Sequence, residues 1–355
     1  MTRPYLAAAV ALFGIAPVVG AQSISPTTFS ATMNVGQVVT INKTITLGAS
    51  GANLIDLFFL ADNTGSMGTI ITNAKTNAAA ILGALPAGNS YNFGVGAYVG
   101  DPSEGASGGG PPFYIVDQAL TASAAAAQTG INAWFASGGG DTPEGNFFAL
   151  QQVANTTAWR AGSQRIVVWF GDAEAHTETT TQAQAIAALQ AKGIKVLAFN
   201  SLGAGSGIDQ GGQATAIVAA TSGTELNNFT SLSSSAFTTA VNNAISAASS
   251  TLNLVFGSTL IGSGLTLEFI CTDILGCNNV AGGQTRSFQL KITANTPGTY
   301  DFSAFATGVS ATELDHIVVT GATVTPEPST WALLATGMFG LGLMARVRRR
   351  SEERV

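Results

Sequence analysis

The sequence predicts an α/β protein with a doubly wound, mostly parallel sheet and helices on both faces, flanked by an antiparallel β-sandwich. In the middle of the chain, apolar runs of strand length alternate with segments of helical period, which is typical of parallel strands joined by helices. After Leu252 the helical period disappears, and short alternating runs broken by Gly, Pro and Asn are typical of antiparallel strands. A chain of 355 residues with 46% apolar content is long enough for two modest domains.

The predicted elements follow one another along the chain. Residues 27–47 are rich in Val, Ile and Thr with a Gly turn, and predict two or three strands. The α/β part has predicted strands over 54–60, 91–99, 165–172 and 195–200, and predicted helices over 69–85, 122–135, 146–154, 181–192, 213–220 and 234–248. The runs TLNLVF, LTLEFI, SFQLKIT, TYDFSAFA and HIVVTG predict the sandwich. The N-terminal strands either join that sandwich, with the α/β unit inserted into it, or form an independent extension.

Both ends of the chain carry targeting patterns. Arg3 precedes an apolar stretch that ends in small residues at Val19-Gly20-Ala21, which predicts a signal peptide over 1–21. Near the other end, Pro326-Glu327-Pro328 is followed by an apolar segment over 332–345 and an arginine cluster. This segment predicts a short transmembrane helix, below the roughly 20 residues that cross a bilayer comfortably. The arginines would hold its end in the cytoplasm, so the folded part lies outside.

The three parts of the C-terminal segment, in that order, resemble the PEP-CTERM sorting tail of Gram-negative bacteria. The resemblance implies cleavage near Pro326, Glu327 and Pro328 by an exosortase-type enzyme, and a transient inner-membrane anchor. It also implies a place at the cell envelope, surface or extracellular matrix, associated with exopolysaccharide and biofilm production. A permanent anchor is the alternative. The predicted organisation is then 1–21, 22–52 (N-terminal strands), 53–250 (α/β), 251–325 (sandwich) and 326–355 (sorting signal).

The charge balance between these ends excludes one class of partner. Between Gln22 and Pro328 there are 8 Lys and Arg against 18 Asp and Glu, a formal net charge of −10. Such an acidic body argues against nucleic acid and favours divalent cations. Cys271 and Cys277, the two cysteines of the chain, predict a disulfide because an exported chain meets an oxidising compartment. Two cysteines alone cannot furnish a structural zinc site.

Three predicted loops carry the polar residues that most resemble a binding site. Asp62, Thr64 and Ser66 follow the first α/β strand, Thr142 and Glu144 precede a helix, and Asp172 follows the strand RIVVWF. Ligands gather at the carboxyl ends of strands in a doubly wound sheet, so these loops are expected to converge. Carboxylate and hydroxyl oxygens are the ligands of a hard cation, Mg²⁺ or alternatively Mn²⁺ or Ca²⁺. Neutral hydroxyls leave part of the cation's charge available to an acidic group from outside.

This pattern resembles a von Willebrand factor A domain with a metal-ion-dependent adhesion site, over about residues 53–249. The D-x-T-x-S loop, the TPEG loop, Trp159-Arg160, the D-A-x-x-H from Asp172 to His176 and the run FGVGAYVGDP look like the I-like domain of integrin β subunits. The resemblance implies that Asp62, Thr64 and Ser66 bind the cation and that Asp172 contributes directly or through water. Either Glu144, at the integrin-type position, or Thr142, at the hydroxyl position of ordinary A domains, completes the set.

Flanking sites of integrins are only partly preserved. Thr69 and Ile70 stand where two acidic residues are expected, and Gly139 stands where an asparagine is expected. Asp141 and Asp101 are the candidates for a second cation, Asp101 being displaced by one position. The duller interpretations are that Asp62, Asp141 or Thr142 caps a helix, that His176 is a hydrogen-bonding partner within its loop, and that Trp159 serves in packing.

The predicted function is cation-dependent adhesion or ligand binding, not catalysis, with an acidic group of a protein or polysaccharide as the partner. A structural matrix protein without metal-dependent binding is the first alternative. A metal-assisted hydrolase is the second, since a cation with an open position can polarise water. The sequence offers only two histidines and no G-x-S-x-G motif, so a serine hydrolase is poorly supported.

Overall fold

A computed structural model describes residues 22–49, 51–87, 89–107, 112–140 and 142–321, and near the C terminus 333–342, 344 and 346. The predicted signal peptide, Asp141 and the Pro326-Glu327-Pro328 triplet lie outside the described residues.

The strands are β1 (Ser23–Ser25), β2 (Thr28–Asn34), β3 (Val38–Thr46), β4 (Leu54–Asp62), β5 (Ser90–Tyr98), β6 (Tyr114–Thr121), β7 (Gln164–Gly171), β8 (Ile194–Asn200), β9 (Thr224–Leu226), β10 (Thr251–Leu252), β11 (Phe256–Ser258), β12 (Leu265–Cys271), β13 (Val280–Ala281), β14 (Thr285–Ala294), β15 (Gly298–Ala306) and β16 (Thr312–Thr320). The helices are α1 (Gly68–Gly83), α2 (Ala124–Ala133), α3 (Asn146–Thr156), α4 (Gln182–Ala191), α5 (Gln213–Thr221) and α6 (Ser234–Ser250).

The predicted α/β fold class is confirmed by a six-stranded sheet of order β6-β5-β4-β7-β8-β9. All neighbouring strands are parallel except β6, which is antiparallel to β5. The central strands β4, β7 and β8 are apolar along nearly their whole length and buried on both faces, as parallel strands covered by helices must be. The edge strand β6 was not predicted, because its sequence YIVDQALT neither alternates cleanly nor forms a continuous apolar run.

Six helices cover the two faces of this sheet. The apolar residues of α1, α2 and α6 belong to one buried cluster with one set of strand residues, and those of α3, α4 and α5 belong to another cluster with the remaining set. Hydroxyl side chains at the N-caps fix where several helices begin. Ser123 and Ser233 accept from the backbone of α2 and α6, and Thr181 forms a capping box with Gln184 at α4.

The sandwich is made by two four-stranded sheets, ordered β1-β3-β14-β12 and β11-β15-β16-β2. Strands from both ends of the chain share each sheet. In the first, Ile41 of β3 lies opposite Leu290 of β14 in an antiparallel pair, and in the second, β2 runs parallel to β16. The α/β unit therefore lies in sequence between strands of one sandwich. Its two connections are adjacent, because the amide of Ala52 donates a 2.9 Å hydrogen bond to the carbonyl of Ser249.

The predicted disulfide joins Cys271 and Cys277, whose Cα atoms are 6.1 Å apart, across the loop that follows β12. Residues 333–342, within the predicted transmembrane segment, are helical. Among the described residues, no helix combines the length and the apolar character that crossing a bilayer requires.

Candidate metal centre

The predicted ligands lie where two neighbouring parallel strands end. Asp62 is the last residue of β4, and Asp172 follows Gly171, the last residue of β7. Strands β4 and β7 pair in register, with Ala61 opposite Phe170, so the two aspartates leave the same edge of the sheet side by side. This is the edge at which ligands of doubly wound sheets bind.

Asp62 has a carboxylate that is completely buried and only half satisfied. Its Oδ1 accepts a 2.8 Å hydrogen bond from the backbone amide of Thr64. Its Oδ2 accepts no hydrogen bond from the described residues, although the side chain is 0% exposed. A buried carboxylate oxygen without a donor is strongly unfavourable unless a cation or another partner is present.

The two hydroxyls of the first loop point into the same region. Thr64 Oγ1 and Ser66 Oγ are 3.4 Å apart, and the nearby Ser66 hydroxyl acts to lower the pKa of Asp172 against the effect of burial. Thr64 is buried, whereas Ser66 is exposed, so the group reaches the surface at Ser66. Asp62 therefore faces the interior, and the hydroxyls lead from it towards solvent.

Glu144 belongs to the same group. Its amide donates a 2.7 Å hydrogen bond to the carbonyl of Glu174, and its carbonyl accepts a 2.8 Å bond from the amide of His176, which holds the second loop against the third. Gly139 has φ of +72°, and a Cβ there would lie 3.0 Å from both Glu144 Oε1 and Thr64 Cβ. Glycine at this position is what allows the second loop to bring Glu144 close to Thr64.

Thr142 and Glu144 are the two alternative ligands that the sequence offers in the second loop, and they differ in burial. Glu144 is 4% exposed, and its Oε2 accepts no hydrogen bond from the described residues. Thr142 is exposed at the surface. Gly145 allows the chain after Glu144 to pass against the loop that follows β5, because a Cβ at this position would collide with the carbonyl oxygen of Gly100.

The carboxyls of this group shift one another's proton affinity. Burial, and then the charge of Asp172, raise the pKa of Asp62 to about 7 against the opposing hydrogen bonds from Thr64. Burial raises the pKa of Glu144 to about 9, with further contributions from Asp62 and Glu104. The pKa of Asp172 is also raised by burial. Burial and mutual repulsion therefore oppose the simultaneous ionisation of these carboxyls.

Tyr98 is a neighbour of this group that the sequence reasoning missed. It lies opposite Asp62 in the pairing of β5 with β4, is fully buried, and receives a 3.1 Å hydrogen bond on its hydroxyl from Trp169 Nε1. Burial and the charges of Asp62 and Glu144 hold the pKa of Tyr98 well above its usual range. Its position one residue before the end of the strand predicted over 91–99 was the available signal.

Of the two candidates for a second cation, Asp101 is the one that the structure describes. Asp101 Oδ1 accepts hydrogen bonds from the Ser103 amide at 2.9 Å, from the Ser103 hydroxyl at 2.7 Å, and from the Thr179 hydroxyl. This oxygen thus holds together its own turn and the third loop. Asp141 lies outside the described residues.

The residues predicted for packing and loop hydrogen bonding have those partners. Trp159 packs on Phe58, with ring centroids 6.3 Å apart. His176 contacts Glu104 through Nε2 and lies 3.1 Å from Glu178 Oε2 through Nδ1. The partnership with Glu104 was not anticipated, because Glu104 lies more than seventy positions away in the loop after β5.

The donor set fits a hard divalent cation held by mixed ligands. Within the described part of the chain, no group of three or more His, Cys, Asp and Glu side chains is arranged to hold a metal by itself. The set here combines the carboxylates of Asp62, Asp172 and Glu144 with two hydroxyls. Each of the three carboxyls has one oxygen that accepts no hydrogen bond from the described residues. These three oxygens are therefore available to coordinate such a cation.

Comparison with known proteins identifies the C-terminal segment. Residues 324–350 match the PEP-CTERM protein-sorting motif. The chain carries a PEP-CTERM sorting signal. This signal marks an exported protein that is anchored at the membrane before processing, and it implies an exosortase-type processing partner, as predicted. A search of curated proteins found no match for the chain.

Several solved structures are similar to this chain at low sequence identity. A von Willebrand factor type A protein from Catenulispora acidiphila is 13% identical, with 86% of this chain and 75% of that chain covered and a TM-score of 0.44. The conserved hypothetical protein BatB from Bacteroides thetaiotaomicron is 16% identical, with 55% and 98% covered and a TM-score of 0.41. Proximal thread matrix protein 1 from the mussel byssus, described with a zinc-occupied MIDAS motif, is 13% identical, with 59% and 48% covered and a TM-score of 0.42. The chain thus spans about half the length of the mussel protein.

Proposed function

We propose that this is an exported protein of the envelope, surface or matrix of a Gram-negative bacterium, which binds a divalent cation and, through it, an acidic group of a partner. Asp62, Thr64, Ser66 and Asp172 would hold the cation, with Glu144 as the further carboxylate. Mg²⁺ is the favoured ion, because carboxylate and hydroxyl oxygens suit it. The partner is a protein or polysaccharide that carries carboxylates.

The observation that carries this proposal is the state of the Asp62 side chain. Its carboxylate is completely buried, and Oδ2 has no donor among the described residues. The carboxyls of Asp172 and Glu144 lie close enough that their negative charges make the ionisation of Asp62 less favourable. A doubly charged cation would offset two of these three negative charges at once, which a single hydrogen-bond donor could not.

The position of each residue supports recognition of an outside group. The bound cation would have an open coordination position on its solvent side, where the acidic group would bind directly. Thr64 and Ser66 would add neutral oxygen ligands, so the negative charge around the cation would come from the carboxylates alone. Ser66 is the exposed member of the group, so a ligand from solvent approaches on its side. Asp62, at the end of a rigid buried strand, fixes the inner side of the site.

Calorimetric titration of the purified protein with Mg²⁺ and Mn²⁺ tests the cation site. We expect Asp62→Asn to abolish measurable binding, because it removes the buried charge while keeping an oxygen for the Thr64 amide. Asp301→Asn is the matched control, since Asp301 lies exposed on the sandwich beside His316. Equal affinity in the wild type and Asp62→Asn would refute the proposal.

Retention on a carboxylated resin tests recognition of the acidic group. The wild type should be retained in Mg²⁺ and released by a chelator, whereas Asp62→Asn should pass through. A sulfonated resin of equal charge density controls for general ionic adsorption. Mg²⁺ binding without carboxylate retention would leave the cation site in place and remove the adhesive role.

A further inference from the structure

The interior of the sandwich contains three ionisable side chains that the cation site does not use. Lys43, Glu313 and Asp315 are all buried, with the side chains of Lys43 and Glu313 at 0% exposure. Lys43 lies on the inward face of β3, and Glu313 and Asp315 lie on the inward face of β16. Because β3 and β16 belong to different sheets, the three side chains meet across the core.

Their surroundings contain little that could stabilise charge. Lys43 Nζ contacts Glu313 Oε2, and Asp315 is close enough to act electrostatically on Lys43. Beyond this, neither carboxyl accepts a hydrogen bond and Nζ donates none within the described residues. The strand neighbours of Lys43 and Asp315 are the aromatic residues Phe288 and Phe302. An ammonium ion has three hydrogens to donate, so a permanent ion pair here would be poorly satisfied.

Burial therefore favours the neutral forms of Lys43 and Asp315. Desolvation lowers the pKa of Lys43 to about 8 and raises the pKa of Asp315. A neutral amine is a nucleophile, and a protonated carboxyl is an acceptor for it. The fold holds the amine and the Glu313 carboxyl in contact, which replaces an encounter in solution by a fixed geometry.

We propose that Lys43 and Glu313 become joined by an amide bond between Nζ and Cδ after the sandwich has folded, with Asp315 transferring the proton. The product is an intramolecular isopeptide cross-link between the two sheets. It does not depend on the cation site, because none of its residues belongs to that site.

The step balances without any further reactant. After Nζ passes a proton to the contacting Glu313 carboxyl, the lone pair of the neutral amine attacks Cδ, and an N–C bond forms. The carbonyl oxygen of the neutral Asp315 carboxyl accepts a proton from nitrogen while its hydroxyl donates one to the departing hydroxyl, and the C–O bond breaks. One water molecule leaves, no group is oxidised or reduced, and Asp315 ends in the state in which it began.

The position of the bond gives it a structural role. Lys43 precedes the α/β unit in sequence and Glu313 follows it, so the cross-link closes a covalent loop around the whole unit. It also ties the last strand before the sorting signal to a strand of the opposite sheet. The Cys271–Cys277 disulfide, in contrast, closes only a short local loop.

Intact mass under denaturing and reducing conditions tests the proposal. The wild type should be lighter than its calculated mass by one water molecule, and fragmentation should join the peptide containing Lys43 to the peptide containing Glu313. Lys43→Met and Asp315→Asn should both have the full mass. Lys291→Met is the matched control and should keep the deficit, because Lys291 makes an exposed pair with Glu268 at 3.2 Å.

Three outcomes would overturn parts or all of it. A wild type of full mass, whose Lys43 reacts with an amine reagent after denaturation, would refute the cross-link whether or not the variants fold. A link that maps to Asp315 would refute Glu313 as the acceptor. A water deficit retained in Asp315→Asn would refute the proton-transfer role.

Discussion

The amide of Thr64 donates a 2.8 Å hydrogen bond to Asp62 Oδ1, so the loop that carries two of the hydroxyls is fastened to the carboxylate it accompanies. This bond uses the backbone of Thr64 and leaves its hydroxyl available, 3.4 Å from that of Ser66. The role of the hydroxyl in cation binding can therefore be separated from the role of the loop.

Thr64→Val should weaken Mg²⁺ binding about tenfold, or about 1.4 kcal/mol, because it removes an oxygen while keeping the shape and the backbone bond. Thr64→Ser, which keeps the hydroxyl, should bind as the wild type does. Calorimetry of both variants measures the difference. Equal affinity in Thr64→Val and Thr64→Ser would remove Thr64 from the ligand set.

Glu144→Gln should weaken Mg²⁺ binding by at least about tenfold, since it removes a carboxylate that lies with Asp62. The variant should fold, because burial raises the pKa of Glu144 to about 9 and a neutral side chain already occupies the position near pH 7 without metal. Thr142→Val, at the exposed position, should change the affinity less than about twofold. The reverse order would assign Thr142 as the ligand.

Arg160→Ala should destabilise the protein by about 3 kcal/mol, because it leaves a buried carboxylate without its cation. Arg160 Nε donates to Asp56 Oδ1 at 2.5 Å, and its amide donates to Oδ2 at 2.8 Å. Asp56 lies near the start of β4, at the opposite end from Asp62. Chemical denaturation measures the loss, with Lys291→Ala, at an exposed pair, as a control that should change stability by less than about 1 kcal/mol. A small effect of Arg160→Ala would show that Ser163 and backbone groups satisfy Asp56 alone.

Asp117→Asn should remove one component of the pH dependence of stability. Burial raises the pKa of Asp117 to about 6 in the folded protein, from 3.8. The folded state therefore holds a proton that the unfolded chain releases, and the wild type loses stability relative to the variant as pH rises from about 4 to about 6. Because the Asp117 side chain is only half-buried, we expect the wild type to lose about 1 kcal/mol of stability relative to the variant over this pH range. Above about pH 6 the difference should stay constant. Denaturation curves at several pH values check it, and parallel curves for both proteins would contradict it.

Much of the fold could be predicted because the signals are local. The strand Leu54–Asp62 is an apolar run, interrupted by Asp56, that ends in a polar turn. Helix α4 begins and ends within one residue of the predicted bounds 181–192. The pairing of β2 with β16 could not be predicted, since nothing in either sequence specifies a partner almost three hundred residues away.

The candidate site likewise contains residues that local sequence spacing predicts and residues that only the tertiary structure brings together. Asp62, Thr64 and Ser66 share one loop, and their spacing is visible in the sequence. Tyr98 and the Glu104–His176 pair depend on neighbouring strands and loops that the sequence does not bring together. Lys43 had a local signal, because it alternates with Ile41 and Ile45 at inward positions of one strand. A charged residue at such a position marks a contact whose partner only the tertiary structure supplies.

The hydrogen bond between Ala52 and Ser249 places the two chain connections of the α/β unit next to each other. A gene fragment encoding that unit could thus be deleted and the gap bridged by a short turn, leaving the strands of the sandwich in their native order. The same fragment could be transplanted into a surface hairpin of an unrelated scaffold. Any such exchange has to preserve the apolar contacts at the junction, because Ile45 and Phe288 of the sandwich share a buried cluster with residues of α6.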